Sequence, residues 1–240
     1  MKIAIVKLSA LGDIIHAMVV LQFIKQHLPD ATIDWVVEEG FKDILVNNPD
    51  IHQIHTVNLK RAKQQKSLRL LFKELKKIRQ FGKYDLVIDI QNLVKSALVS
   101  RIIPSSKTIG LDQQSSREGF AARFYTDTYT IKHSENVIER NMAIVSKALN
   151  ITISPDDILN KQPFLHSNSQ MSSDLISSVK MNVALIPGAS FESKIYPAQQ
   201  YAQVTQELDA NFVILWGNES EKLMAEKIQQ IGRASCRERV

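Results

Sequence analysis

A single cysteine in 240 residues, Cys236, leaves no partner for an internal disulfide, so the fold must rest on packing alone. No apolar run approaches the ~18 residues of a membrane-spanning helix, and the N-terminus lacks a secretory-signal pattern. A cytoplasmic site of action is the expectation. G-x-G-x-x-G is absent, which weighs against a dinucleotide-dependent oxidoreductase. There is no Asp-x-Asp pair and no histidine cluster, so no metal is expected. Excess positive charge is scarce as well: the net charge is +5, and residues 232–240, with three Arg and one Glu, carry +2 of it. The rest is too mildly basic for a nucleic-acid footprint.

What is present is enough apolar sequence, 44% against 23% charged, for one large or two small globular domains. The chain is organised around its first seventeen residues. Lys2-Ile-Ala-Ile-Val6 reads as a buried strand, Lys7 to Asp13 as a turn, and residues 13–27 as a helix. Such a unit opens a doubly wound sheet, whose ligands bind beyond the carboxyl ends of the strands. Asp13 falls there, after Gly12, which makes the turn. An Asp in a first helical turn also caps free N–H groups and complements the helix dipole, and this plainer role must be weighed beside a chemical one.

Further strands are expected over 32–37, 51–57, 84–90 and 107–111, with a short helix over 41–46 and longer ones over 67–81 and 136–149. The alternation argues for a parallel sheet. Residues 58–66 are basic and aperiodic, and read as an exposed loop. In 67–81, Leu68, Leu71, Phe72, Leu75 and Ile78 share one face, a spacing that predicts core packing. Residues 154–180, rich in Ser, Asn and Asp, read as a linker. A second sheet begins at 182–186, followed by a loop with Gly188, Ser190 and Lys194, a helix over 197–208, a strand over 211–215, and an acidic helix start at Glu219 and Glu221. The loop is a plausible phosphate cradle. Residues 232–240 break the helical pattern and read as a vector or junction tail.

Lys7-Leu-Ser-Ala-Leu-Gly-Asp-Ile-Ile-His16 resembles the opening of the lipopolysaccharide heptosyltransferases, family 9 glycosyltransferases of the GT-B type. Tyr84-Asp-Leu-Val-Ile-Asp-Ile-Gln-Asn-Leu-Val-Lys-Ser96 resembles a second segment of that family. The resemblance implies an α/β protein with two Rossmann-like domains facing each other across a cleft. The acceptor domain would span 1–153, the linker 154–180, and an incomplete nucleotide-sugar domain 181–231. It implies an inverting transfer of L-glycero-D-manno-heptose from ADP-heptose to Kdo-lipid A, without cofactor, by a monomer on the cytoplasmic face of the inner membrane. Asp13 would be the base. Ser9, Gly12, Lys60, Arg61, Lys63, Gln91, Lys95 and Arg117 would meet the acceptor. Ser190, Lys194 and Glu221 would meet the donor, with Glu219 the alternative to Glu221. Tyr196 stands where the family has Trp in its K-x-W-P motif. The family's D-T-G-x-x-H segment has no counterpart, so the chain is expected to be C-terminally truncated and inactive as it stands. The Ile14-Ile15-His16 ending and the Gln91 segment favour the type I branch over type II. A different family 9 acceptor, or a non-catalytic nucleotide-binding Rossmann module, are the rival readings.

Overall fold

The computed structural model describes residues 1–132, 134–166, 175–189 and 191–232, and the backbone of 235–239. It divides into two compact units, Met1–Asn168 and Ser169–Val240.

The first unit is built on a six-stranded parallel sheet in the order β3-β2-β1-β4-β5-β6. Its strands are β1 (Lys2–Val6), β2 (Thr32–Glu38), β3 (Gln53–Val57), β4 (Tyr84–Asp89), β5 (Ser105–Leu111) and β6 (Asp127–Tyr129). Both faces are covered, which is why the central strands read as continuous apolar runs. Alternate residues feed opposite layers. Ile3, Ile5, Ile33, Trp35 and Ile88 join one core with α1 (Leu11–Met18), α2 (Val20–His27) and α6 (Val137–Leu149). Ala4, Val6, Val36 and Val87 join a second core. There they meet Ile78 of α4 (Leu68–Ile78) and Val99 of α5 (Val94–Ile102).

Several expectations are corrected. The helix over 13–27 is two segments meeting at Val19, whose backbone stays right-handed helical. The expected loop 58–66 holds a helix, α3 (Leu59–Gln64), which buries only Ala62. One buried position in the whole six-residue helix gives a sequence pattern too sparse to read. In α4 the predicted core face is covered only at its end: Ile78 is buried and Leu75 packs beside it, while Leu68, Leu71 and Phe72 are exposed. Strand β6 was not foreseen, being three polar or half-polar residues long.

The expected linker begins too early. Ile158 within α7 (Pro155–Leu159) and Phe164 beyond it pack on the first core, and the Asn48 side chain donates to the Phe164 carbonyl at 3.0 Å.

The second unit has a three-stranded parallel sheet, β7 (Met181–Leu185), β8 (Ala210–Trp216) and β9 (Ser235–Arg239), in that order. Its helices are α8 (Ala198–Glu207) and α9 (Glu219–Ile231). Leu185, Phe212, Ile214, Ala225 and Ile228 form the core. Strand β9 lies in the stretch read above as a tail. Its backbone pairs Ser235 with Val213 and Cys236 with Ile214, since a ladder is made by the main chain and needs no apolar period. Among the described residues no helix is long and apolar enough to cross a membrane.

Candidate active site

The carboxyl ends of β1 and β4 carry the candidate chemistry of the first unit. The turn after β1 is held from β4's side: the Gln91 side-chain oxygen Oε1 accepts from the N–H of Leu8 at 2.6 Å and of Ser9 at 3.2 Å. Gln91 thus positions the loop that leads into α1. Asp13 is the third residue of α1 and is exposed. Its carboxylate accepts a long 3.4 Å bond from the Ala10 N–H, so the capping role is real but weak. Gly12 does not make the turn. It sits inside the first turn of α1, and a Cβ there would meet nothing within 4 Å. The space above it is open to a ligand.

Two grooves flank this loop. The first, about 1120 Å³, is lined by Ser9, Lys60, Lys63 and Lys95, together with apolar walls including Leu71 and Leu98. Lys95 forms an ion pair with the buried Glu38, so its charge is already balanced. Glu118 reaches the same groove and accepts from the Val94 N–H at 2.7 Å, holding the start of α5. Arg61, on the same short helix as Lys60 and Lys63, is outside the lining set.

The second groove, about 450 Å³, is lined by Gln91, Arg117, Arg140, Asn141 and Lys7. Lys7 escaped the sequence reading. It is 6% exposed. Burial pushes its amine down from the usual lysine range, and the charges of Asp13 and Asp89 oppose that shift. The signal in the sequence was a lone lysine ending a β-branched strand, where a surface position is the ordinary assumption. Asn141 is buried beside it, and its Nδ2 has no hydrogen-bond partner among the described residues. A buried donor left open in a groove where Lys7, Arg117 and Arg140 outnumber the one lining carboxylate, Glu135, suits an anionic oxygen. Arg140 donates to the Ser115 carbonyl at 2.7 Å.

Beneath these grooves Asp89 is fully buried. It accepts from the N–H groups of Gln91 and Asn92 and from the Tyr125 hydroxyl at 2.8 Å. Desolvation nonetheless pushes its carboxyl above the usual range. The Tyr125 ring lies so close to Gly110 that a Cβ there would stand 2.2 Å from it, which is why β5 carries glycine at this point.

In the second unit the donor candidates gather at the carboxyl end of the sheet. Glu221 accepts from the Gly217 N–H at 2.7 Å and the Asn218 amide at 2.8 Å. Its carboxylate lies against Gly188, where a Cβ would stand 2.4 Å from Oε1. Glu219 instead pairs with Lys222 at 3.5 Å. Of the two acidic candidates, Glu221 is the one beside the loop after β7. Lys194 ends a short 3-10 turn over 192–194 and holds its ammonium 5.5 Å from the Phe191 ring centroid. Ser190 lies outside the described residues.

The family model described as "Glycosyltransferase family 9 (heptosyltransferase)" matches residues 70–238. The lipopolysaccharide heptosyltransferase 1 of Campylobacter coli is 37% identical over 245 residues, covering 98% of this chain and 70% of that protein. The E. coli heptosyltransferase WaaC with ADP superposes with a TM-score of 0.82 at 23% identity, over all of this chain and 76% of that one. The same enzyme with ADP-2-deoxy-2-fluoro heptose gives 0.80 at 22% identity, with 77% of its chain covered. These superpositions establish the GT-B glycosyltransferase fold, and with the sequence matches they lead to one assignment. The chain belongs to glycosyltransferase family 9, the heptosyltransferases.

Proposed function

We propose that this heptosyltransferase is of type I, moving L-glycero-D-manno-heptose from ADP-heptose to Kdo-lipid A in lipopolysaccharide core synthesis. The observation that carries the proposal is the 37% identity to a heptosyltransferase 1 running through 98% of the chain. The reaction is a single inverting displacement. Asp13 takes the proton of the acceptor hydroxyl while that oxygen attacks the anomeric carbon. The bond from that carbon to the diphosphate breaks, and ADP leaves with the electron pair. Lys194, one turn before α8, offsets the charge that builds on the diphosphate.

The two grooves of the first unit divide the acceptor's chemistry. Lys60 and Lys63 suit phosphates at the mouth of the larger, partly apolar groove. Lys7, Arg117 and the open Asn141 amide suit a sugar carboxylate in the smaller one. Gln91 and Gly12 hold the loop and leave space above it, respectively.

Calorimetry with ADP and with NAD tests the donor half of this reading and separates it from a dehydrogenase-like module. ADP should bind and NAD should not. Glu221→Ala should weaken ADP by about tenfold or more, the usual worth of a hydrogen bond to a charged group. Gly188→Ala should weaken it less, because the displaced Glu221 carboxylate is the end of a flexible side chain. Equal affinity for ADP and NAD, or an unchanged Glu221→Ala, would count against the assignment.

A further inference from the structure

Helix α4 is strongly two-faced, yet among the described residues nothing covers the start of its apolar face. Leu68 is 70% exposed and Phe72 68%, although Ile78, two to three turns on, is fully buried. At about 100° per residue, positions 78, 71, 75, 68 and 72 sweep one apolar arc. At Phe72 that arc meets a basic arc of Lys76, Arg69 and Lys73. A depression of about 680 Å³ lies at the junction, lined by Arg69, Phe72, Lys73 and Lys76 among others.

Charge is concentrated here. Residues 59–78 hold eight Lys or Arg and a single carboxylate, Glu74. Glu74 faces inward to accept from the Asn58 N–H at 3.0 Å. Among the described residues, Arg69, Lys73 and Lys76 have no ion pair. These cations are therefore not committed within the fold.

We propose that the first two turns of α4 are a membrane-docking wedge, with Leu68 and Phe72 entering an anionic phospholipid bilayer and Arg69, Lys73 and Lys76 meeting its headgroup phosphates. Large apolar residues beside uncommitted cations on one helix are the makings of an interfacial helix. Charge complementarity selects the occupant. A second copy meeting this patch about a twofold axis would bring the same basic arc against itself, which like-charge repulsion opposes. A bilayer with anionic headgroups supplies the opposite charge, at a strength that grows with each lysine or arginine near the surface.

Leu71 and Leu75 of the same helix line the larger groove with Lys60 and Lys63. A docked α4 therefore sets that groove beside the lipid surface. In this respect the wedge rests on the acceptor reading, because it explains how an acceptor held in a membrane reaches the groove. Its test is independent of transfer.

The chain is sedimented with phosphatidylethanolamine vesicles containing phosphatidylglycerol, free of lipid A and donor, and with phosphatidylcholine vesicles as control. It should partition on to the anionic vesicles and hardly on to the control. Binding should weaken as salt rises through about 0.1 M, where the screening length is ~10 Å. Leu68→Ser with Phe72→Ser should reduce partitioning on the order of tenfold or more. Arg69→Gln with Lys73→Gln and Lys76→Gln should also reduce it and flatten its salt dependence. All five side chains are exposed or at the surface, so unfolding midpoints should not move, which keeps a folding defect distinguishable. Vesicle binding that neither set of variants alters would overturn the proposal. So would absence of binding to anionic vesicles, or a dimer in sedimentation equilibrium that the Leu68/Phe72 variant dissolves. Loss of heptose transfer with vesicle binding intact would instead count against the acceptor reading and leave the wedge standing.

Discussion

In the full-length enzyme, Asp13→Asn is expected to lower heptose turnover by about a hundred- to ten-thousand-fold while leaving ADP affinity unchanged. That range is the usual contribution of a positioned general base, about 3–5 kcal/mol of transition-state stabilisation. Asn keeps the size of Asp and still offers an oxygen to the Ala10 N–H, so the start of α1 should survive. The donor residues lie in the second unit, away in sequence from the change. A split between kcat and ADP affinity is therefore the signature to look for, measured by steady-state transfer and by calorimetry on the same preparation. Turnover within about threefold of the parent would mean that Asp13 only caps its helix.

The second large effect concerns stability rather than chemistry. Asp34, on β2, is fully buried. Its carboxylate accepts from the Tyr84 hydroxyl at 2.6 Å, and lies 3.3 Å from the Lys2 ammonium, 2.9 Å from His52 Nδ1 and 3.4 Å from His55 Nε2. These partners outweigh the desolvation that burial imposes, and hold the carboxyl well below the usual range. Asp34→Ala should cost about 3 kcal/mol, the lower end for removing one member of a buried charged network, because Lys2 and His52 still reach water. The pH dependence has a definite sign. The folded carboxyl binds its proton less readily than the unfolded one, so the contribution is complete above about pH 4. It is lost progressively as pH falls below that point through the depressed folded value. Urea unfolding at neutral and at acid pH checks both parts. The parent should lose the difference from Asp34→Ala at acid pH, and equal midpoints at neutral pH would refute the network's role.

Much of this molecule was legible in its residues, and the exceptions have physical causes. Strand β1 could be read because both faces of the central sheet are covered, so its residues are apolar without alternation. The position of Asp13 followed from that strand and the helix after it. Gln91 was legible as a polar residue at a strand end, but its task was not. It holds Leu8 and Ser9 only because β1 and β4 are neighbours across 83 residues of sequence. Lys7 was invisible for a related reason: its burial, and the nearness of Asp89 whose charge opposes the effect of that burial, arise only once β1 and β4 pair. The face of α4 shows the opposite limit. Periodicity reveals that a helix has an apolar side, not what lies against it, and here the side is half packed and half open. Helix α3 and strand β6 bury too little to leave a pattern, and β9 is paired through its backbone.

The most direct test of a type I heptosyltransferase is the mass of the acceptor after reaction. The full-length enzyme is incubated with ADP-heptose and a Kdo-lipid A that carries no heptose, and the product is examined by mass spectrometry. Addition of one heptose, abolished by Asp13→Asn, is the expected result. An unchanged acceptor, alongside heptose added only to an acceptor that already bears one, would contradict the type I assignment.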